Sequence, residues 1–461
     1  VPRNHKTRLG PGFKHHARPA QIFDPARPRH DRVFIPRRVF VETGALMTNP
    51  TFSALNLSLL IRVRVVVSAV LSMVFAGFAS GLIYAWVPIR LSALGYDPSV
   101  AGMLISVTAV GGVLGCFITG ALVRRLGQAR TWLLALVMLL ISYATMAFTE
   151  QPLFWGLGRV AYGVAMTQLF VVGQSWFNAL VTNRFRGRVQ ASLNTLFVVG
   201  IGVGGFGIGF VSVDGNMAPL VALGLTVAAL TPMLLPGLPR VPTPRAAQVH
   251  VLRAWRISPL AVSGMLFAGG VTMLVQGYAP IFAQAKGFEP AQIGLMLLLM
   301  QLGIFAVPLS AGFVSDRVDR RWVIVACTVL IVGCAAFASE VAGLNFFFLV
   351  AAFGLWAGST EAIFSVTSAQ ASDHAQPEEY LSLSATLIMV WSSGAVLVPG
   401  VTSVLTRLFG VSAFMIVAGV LAVVFLVFTL VRLRLREQPA SDPTVDSVVD
   451  PGLDLSDPPL R

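Results

Sequence analysis

Apolar residues in this chain fall in long unbroken runs, and polar residues gather in the short breaks between them. Twelve runs are each long enough for a helix of roughly 20 residues across a bilayer. They lie near 65–88, 98–122, 130–149, 153–179, 189–212, 217–236, 257–282, 291–314, 322–340, 344–370, 382–406 and 411–431. Their length and their lack of two-residue alternation argue against a transmembrane barrel. The pattern predicts an all-α integral membrane protein with twelve transmembrane helices.

Part of the pattern is written twice. Residues 73–125 lie over 265–317 at a fixed offset of 192, with no gap. Met73, Phe75, Ala76, Gly77, Pro88, Gly95, Pro98, Gly111 and Gly120 recur as Met265, Phe267, Ala268, Gly269, Pro280, Gly287, Pro290, Gly303 and Gly312. Tyr96/Phe288 and Asp97/Glu289 are conservative matches. A later stretch aligns at offset 191, with Tyr162-Gly163 on Phe353-Gly354. A parallel repeat predicts two six-helix bundles related by a pseudo-two-fold axis, with a substrate site between them.

The repeat and the breaks set the expected domains. Residues 1–60 form a basic, disordered segment, 61–236 the first bundle, 237–256 a cytoplasmic linker, 257–436 the second bundle and 437–461 an acidic, disordered tail. The linker carries Pro239, Pro242, Pro244 and four Arg, as a solvated connection should.

Composition agrees with a lipid environment: 56% hydrophobic and 11% charged residues leave too little charge for a soluble surface. The net charge of +13 is explained by location, not by nucleic-acid binding. Residues 1–46 hold ten Lys/Arg against three acids and no apolar core, so they are not a secretory signal. Met47 is the expected natural start; the rival reading is a basic tail touching anionic lipid.

With the N-terminus inside, eighteen Arg fall in inside loops, among them Arg62, Arg124, Arg184, Arg240, Arg317 and Arg432. Outside loops hold only Arg90, Lys286 and Arg407, so both termini are expected in the cytoplasm. Cys116, Cys327 and Cys334 read as small core residues; the last two are roughly 10 Å apart on a helix, too far for a disulfide. No P-loop, zinc spacing or nucleophile motif is present. No metal, cofactor, ATP drive or enzyme activity is therefore expected.

Several polar groups interrupt the runs. Glu361 is the one acid deep inside a run, and Gly358, Ser365 and Ser368 share its helix face. That small polar face suits a cavity wall, and the carboxyl is a candidate proton or substrate group. The structural alternative is a Glu tying helices together. Arg159, in the fourth run, must face water or a partner, or snorkel to the outer interface, because a charge in hydrocarbon costs at least ~2.5–3.5 kcal/mol. By the repeat register Glu361 lies roughly 16 Å deeper than Arg159, so a direct salt bridge is not expected. Ser80 and Tyr84 map onto Thr272 and Gln276, each pair four residues apart on one face, at matching depth in the two halves. Gln168 and Gln174 add amides to the fourth run. The alternative for these groups is interhelical hydrogen bonding. Glycines from Gly200 to Gly209 predict close helix packing in the fifth run.

At these residues the chain resembles the major facilitator superfamily. Gly312-Phe313-Val314-Ser315-Asp316-Arg317-Val318-Asp319-Arg320-Arg321 looks like the family's G-x-x-x-D-R-x-G-R-R loop, with Asp319 in place of Gly. The resemblance implies a cytoplasmic latch in which Asp316 caps a neighbouring helix and pairs with Arg across the bundle. Gly312, Arg317, Arg320 and Arg321 would belong to it. The first-half copy keeps Gly120 and Arg125 but has Arg124 where the acid belongs, so its share is expected to be smaller. Arg159 to Gly163 resembles the R-x-x-x-G element, whose Arg faces the central cavity and is tied to proton coupling. Gly173 to Asn178, followed by Asn183 to Arg188, is similar to a bacterial subgroup with an E-S-W-x-N helix end, and Gln174 replaces its Glu.

The resemblance implies a monomeric inner-membrane transporter of a small solute, working by alternating access, coupled to protons and favouring export. The alternatives are an uptake facilitator, or a receptor or scaffold that kept the fold.

Overall fold

Apolar runs become helices because a helix satisfies its own backbone hydrogen bonds where no water can. In the computed structural model the backbone is described for residues 50–180, 183–233, 249–341, 345–375 and 379–435. The segment expected to be disordered up to residue 49, linker residues 237–248 and the tail 437–461 lie outside the described residues. So do the side chains of Arg62, Arg64, Arg184, Arg186 and Arg188.

Among the described residues there are thirteen α-helices and no strand. They are α1 (Pro50–Ala93), α2 (Pro98–Leu126), α3 (Gln128–Phe148), α4 (Pro152–Leu180), α5 (Asn183–Phe206), α6 (Met217–Leu230) and α7 (Val251–Ile257). The rest are α8 (Pro259–Ala285), α9 (Pro290–Ser315), α10 (Arg320–Val341), α11 (Phe346–Asp373), α12 (Tyr380–Phe409) and α13 (Ala413–Leu435). Nine are long and apolar enough to cross a membrane, and Thr195–Phe210 and Met217–Met233 are shorter apolar segments. Each apolar run falls on a helix. The extra one, α7, arises inside the expected linker once its prolines end, and Arg253 on it pairs with Glu379.

The repeat is visible as shared local geometry. Gly95 (φ 80°) joins α1 to α2, and Gly287 (φ 82°) joins α8 to α9; glycine tolerates this left-handed backbone best. The Ser99 N–H then donates to Asp97 at 2.8 Å, capping α2. Glu289 caps α9 through a reciprocal box with Gln292. Packing repeats as well. A Cβ on Gly111 would strike the α4 backbone at Val160, and one on Gly303 the α11 backbone at Gly354. These paired helices touch backbone to backbone, as small residues allow.

Helix α5 meets the expectation of close packing and explains it. Gly200 and Gly204 lie against α1, at Val74 and Phe78; Gly202 and Gly205 lie against α9, at Leu298 and Leu297. One glycine-rich helix thus stands between the two copies of the repeat. Toward the same end, Gly102 and Gly400 form close approaches to Tyr278 and Ser106, joining α2 to α8 and α12. Cys327 and Cys334 are buried in α10, whereas Cys116 is exposed on α2 rather than in the core.

Candidate functional site

A cavity lies between the two copies of the repeat. Its walls come from α1, α2, α4, α5, α8 and α9. Four pairs of lining residues are related by the offset of 192: Tyr84/Gln276, Pro88/Pro280, Ile105/Leu297 and Thr108/Met300. The cavity is therefore built from the same positions of both halves. Most of its wall is apolar; the polar side chains are Tyr84, Thr108, Arg159, Gln276 and Gln301.

Among the described residues, Arg159 carries the only charge on that wall. It is 3% exposed, so it does not snorkel to an interface. Its guanidinium carbon lies 5.6 Å from the Tyr84 ring centroid and 5.3 Å from that of Tyr162. Tyr162 follows Arg159 by one helical turn, which brings both to the same face of α4. No carboxylate pairs with Arg159 among the described residues, and its Nη1 has no hydrogen-bond partner. A desolvated cation–π contact returns about 2 kcal/mol, while removing a charge from water costs several. The rings offset only part of that cost.

The tyrosines are held from behind. Tyr162 donates to Ser80 at 2.9 Å, and Ser80 donates to the Ala76 carbonyl at 2.7 Å. The Tyr143 hydroxyl lies 3.4 Å from Ser80, and that of Tyr84 3.3 Å from Tyr162. Helices α1, α3 and α4 thus share one hydroxyl network, which fixes the rings around the cation.

The other expected residues divide into groups. Tyr84, Arg159 and Gln276 meet at the cavity; Ser80 stands one layer behind. Glu361 and Thr272 meet away from it, the carboxyl facing the hydroxyl across α11 and α8; Thr272 Oγ1 makes no well-aligned hydrogen bond. Arg159 and Glu361 form no pair, as the depth difference predicts. Ser365 is exposed one turn beyond Glu361, and Gln174 is exposed near the end of α4. Gln168 is fully buried with both amide atoms unpartnered. Sequence reasoning missed Tyr143, Thr108 and Gln301 as site residues. Tyr162 was legible as a neighbour one turn from Arg159.

The residues expected in the latch lie at the ends of α9, α10 and α2. Asp316 ends α9, is exposed and pairs with no cation among the described residues. Asp319 does the capping: it accepts from the Arg321 N–H at 2.9 Å, at the start of α10. The reason is position, since a cap must stand directly before the first helical residue, and that residue is Arg320. Arg320 pairs at 2.9 Å with Asp373 at the end of α11, and Arg317 lies 3.7 Å above the Phe313 ring. Gly312 lies just before this turn, while Gly120 and Arg125 are exposed at the matching end of α2. The Arg320–Asp373 pair and the Asp319 cap both lie within the second half.

The model of the Major Facilitator Superfamily matches residues 69–289 and again 260–456. The chain is 24% identical over 348 residues to an uncharacterized MFS-type transporter of Enterobacter sp. (strain 638), covering 75% of this chain and 89% of that one. It is 25% identical over 349 residues to the uncharacterized MFS-type transporter YcaD of Escherichia coli strain UMN026, with the same coverage of 75% and 89%. In fold it is similar to the nucleoside transporter NupG, with a TM-score of 0.64 at 15% identity, over 82% of this chain and 100% of that chain.

Proposed function

The chain belongs to the major facilitator superfamily, and we propose that it carries a small solute across a bacterial inner membrane by alternating access of the cavity between its halves. It is a multi-pass transporter and not an enzyme. In this reading twelve helices span the membrane as two bundles, 61–236 and 257–436, with both termini in the cytoplasm. The chain works as a monomer, because each copy of the repeat supplies the other half of the site.

One observation carries the reading: four repeat-related pairs of residues face a single cavity. A site built from equivalent positions of two halves changes its access when the halves rock about it. Contacts across the halves at Gly205, Gly294 and Gly400 support a closed end on the side of the Gly95 and Gly287 turns. With that end closed, the Arg-rich end is the open one. An unpaired Asp316 then fits a latch released in this conformation, so Asp316, Arg317, Gly120 and Arg125 keep a place in the opposite state.

Glu361 is the proton carrier in this scheme, and Thr272 is its neighbour on the facing helix. Its carboxyl is separate from the solute cavity, so proton and solute occupy different sites and are coupled through the movement of α8 and α11. A ligand-stabilisation screen of the purified protein finds a solute, and flux into proteoliposomes then tests the coupling. Flux should accelerate with a pH gradient, and Glu361→Gln should abolish that acceleration while keeping exchange. Gradient-independent flux in the unmodified protein, or full acceleration in Glu361→Gln, would contradict the proton role.

A further inference from the structure

We infer that the cavity takes an organic monoanion, a carboxylate on an apolar body, with Arg159 as the group that docks the carboxylate. This rests on the transport reading of the same cavity and adds the chemical class of its solute. The only charge on the wall is positive, buried and without an acidic partner among the described residues. Its buried Nη1 is a hydrogen-bond donor with no partner among the described residues. Carboxylate geometry matches the guanidinium fork, and the bond is charge-assisted. The Tyr84 and Tyr162 rings hold the guanidinium from the side, which orders it before the ligand arrives.

Competing solute classes fit less well. A cation would meet Arg159 and no acid. A sugar needs many hydrogen bonds, yet the wall carries few polar groups, and two of them already have a donor engaged. Thr108 donates to the Leu104 carbonyl at 2.8 Å, and Gln301 to the Leu297 carbonyl at 3.3 Å. A dianion would leave one charge without a partner. The remaining wall, including Ile105, Met273, Leu297 and Met300, suits a hydrocarbon or aryl body. Gln276 adds one neutral polar group to this wall.

The test compares three head groups on one body. Thermal stability of the purified full chain is followed against phenylacetate, phenylacetamide and phenethylamine, with benzoate, benzamide, octanoate and octanamide as a second set. The carboxylates should stabilise at concentrations at least tenfold lower than the amides, and the amine should not stabilise. Arg159→Gln should bring acid and amide to equal potency. Equal potency in the unmodified protein, or no stabilisation by any acid, overturns the inference; this comparison needs no variant and stands if Arg159→Gln does not fold. Repeating the titration in phosphatidylcholine and phosphatidylglycerol vesicles separates a free anion from a lipid head group. Equal shifts support the free anion, and loss of the shift in phosphatidylglycerol alone reassigns the site to lipid. Solute-independent labelling of the cavity from both membrane faces reports alternation separately. Alternation without acid preference sinks only this inference; acid preference without alternation sinks the transport reading and leaves the site.

Discussion

The two halves share a backbone plan and differ in what they bury at equivalent positions. In the first, Ser80, Tyr84, Tyr143 and Tyr162 form hydroxyl contacts around the Arg159 cation. In the second, Phe353 stands where the first has Tyr162, and Val350 where it has Arg159. Phe353 packs against Phe282, Trp356 and Phe414 with centroids 6.1, 6.2 and 6.1 Å away. The charge of the second half lies deeper, at Glu361, with Thr272 as its neighbour. Duplication supplied the cavity, and divergence put a cation in one half and a carboxyl in the other. A fixed network suits a group that holds a ligand; a sparsely bonded acid suits one that gains and loses a proton.

The largest expected effect comes from copying the cation across the repeat. Val350→Arg places a charge in the buried apolar core, at a cost of at least ~2.5–3.5 kcal/mol. Its yield of folded protein should fall sharply. Arg159→Gln should fold but lose about 2–3 kcal/mol of ligand binding, roughly 30- to 160-fold in affinity. If Val350→Arg folds as well as the parent, the halves are less distinct than this comparison states.

Hydroxyl exchange is the next test. Tyr162→Phe removes the donor to Ser80 and should cost about 1 kcal/mol. Phe353→Tyr buries a hydroxyl among rings and should cost about 1–3 kcal/mol. Thermal melts of both, side by side, reveal whether only the first half is built for hydroxyls.

Helix caps give a smaller effect. Asp97→Ala should cost about 1 kcal/mol. The Ser99 hydrogen bonds hold the Asp97 carboxyl below its usual pKa of 3.8. Its stabilisation is therefore complete above the ordinary Asp range and is lost as pH falls through the lowered value. Melts at pH 7 and pH 3 should show the gap between parent and Asp97→Ala closing in acid. Glu289→Ala at the repeat-related cap should cost a similar amount at pH 7. The smallest effect is expected for Asp373→Ala. Its pair with Arg320 is half-exposed, so the loss should be within about 1 kcal/mol.

Much of this organisation was legible in the sequence, because lipid leaves a strong periodic signal and a repeat can be aligned by eye. The twelve runs fall on helices, and Asp97/Glu289 with Gly95/Gly287 mark equivalent turns. Relative depth along helices correctly kept Arg159 and Glu361 apart. What could not be read was lateral proximity: nothing local ties Tyr143 on α3 to Ser80 on α1. Thr108 and Gln301 are visible as polar residues in apolar runs, but only packing selects the face that meets the cavity. The local cap of α10 by Asp319 was not legible either, because it depends on where α10 begins.

Alternating access is the central claim, and it can be tested without knowing the solute. In a background with Cys116, Cys327 and Cys334 replaced, Thr108→Cys puts one thiol on the cavity wall. Membrane-impermeant thiol reagents are applied to each face of sealed vesicles, with and without a cross-link between cysteines at Gly209 and Ala291, which lie in contact across the halves. The account predicts labelling from both faces in the free protein and from one face only when cross-linked. Labelling from a single face under both conditions would contradict it.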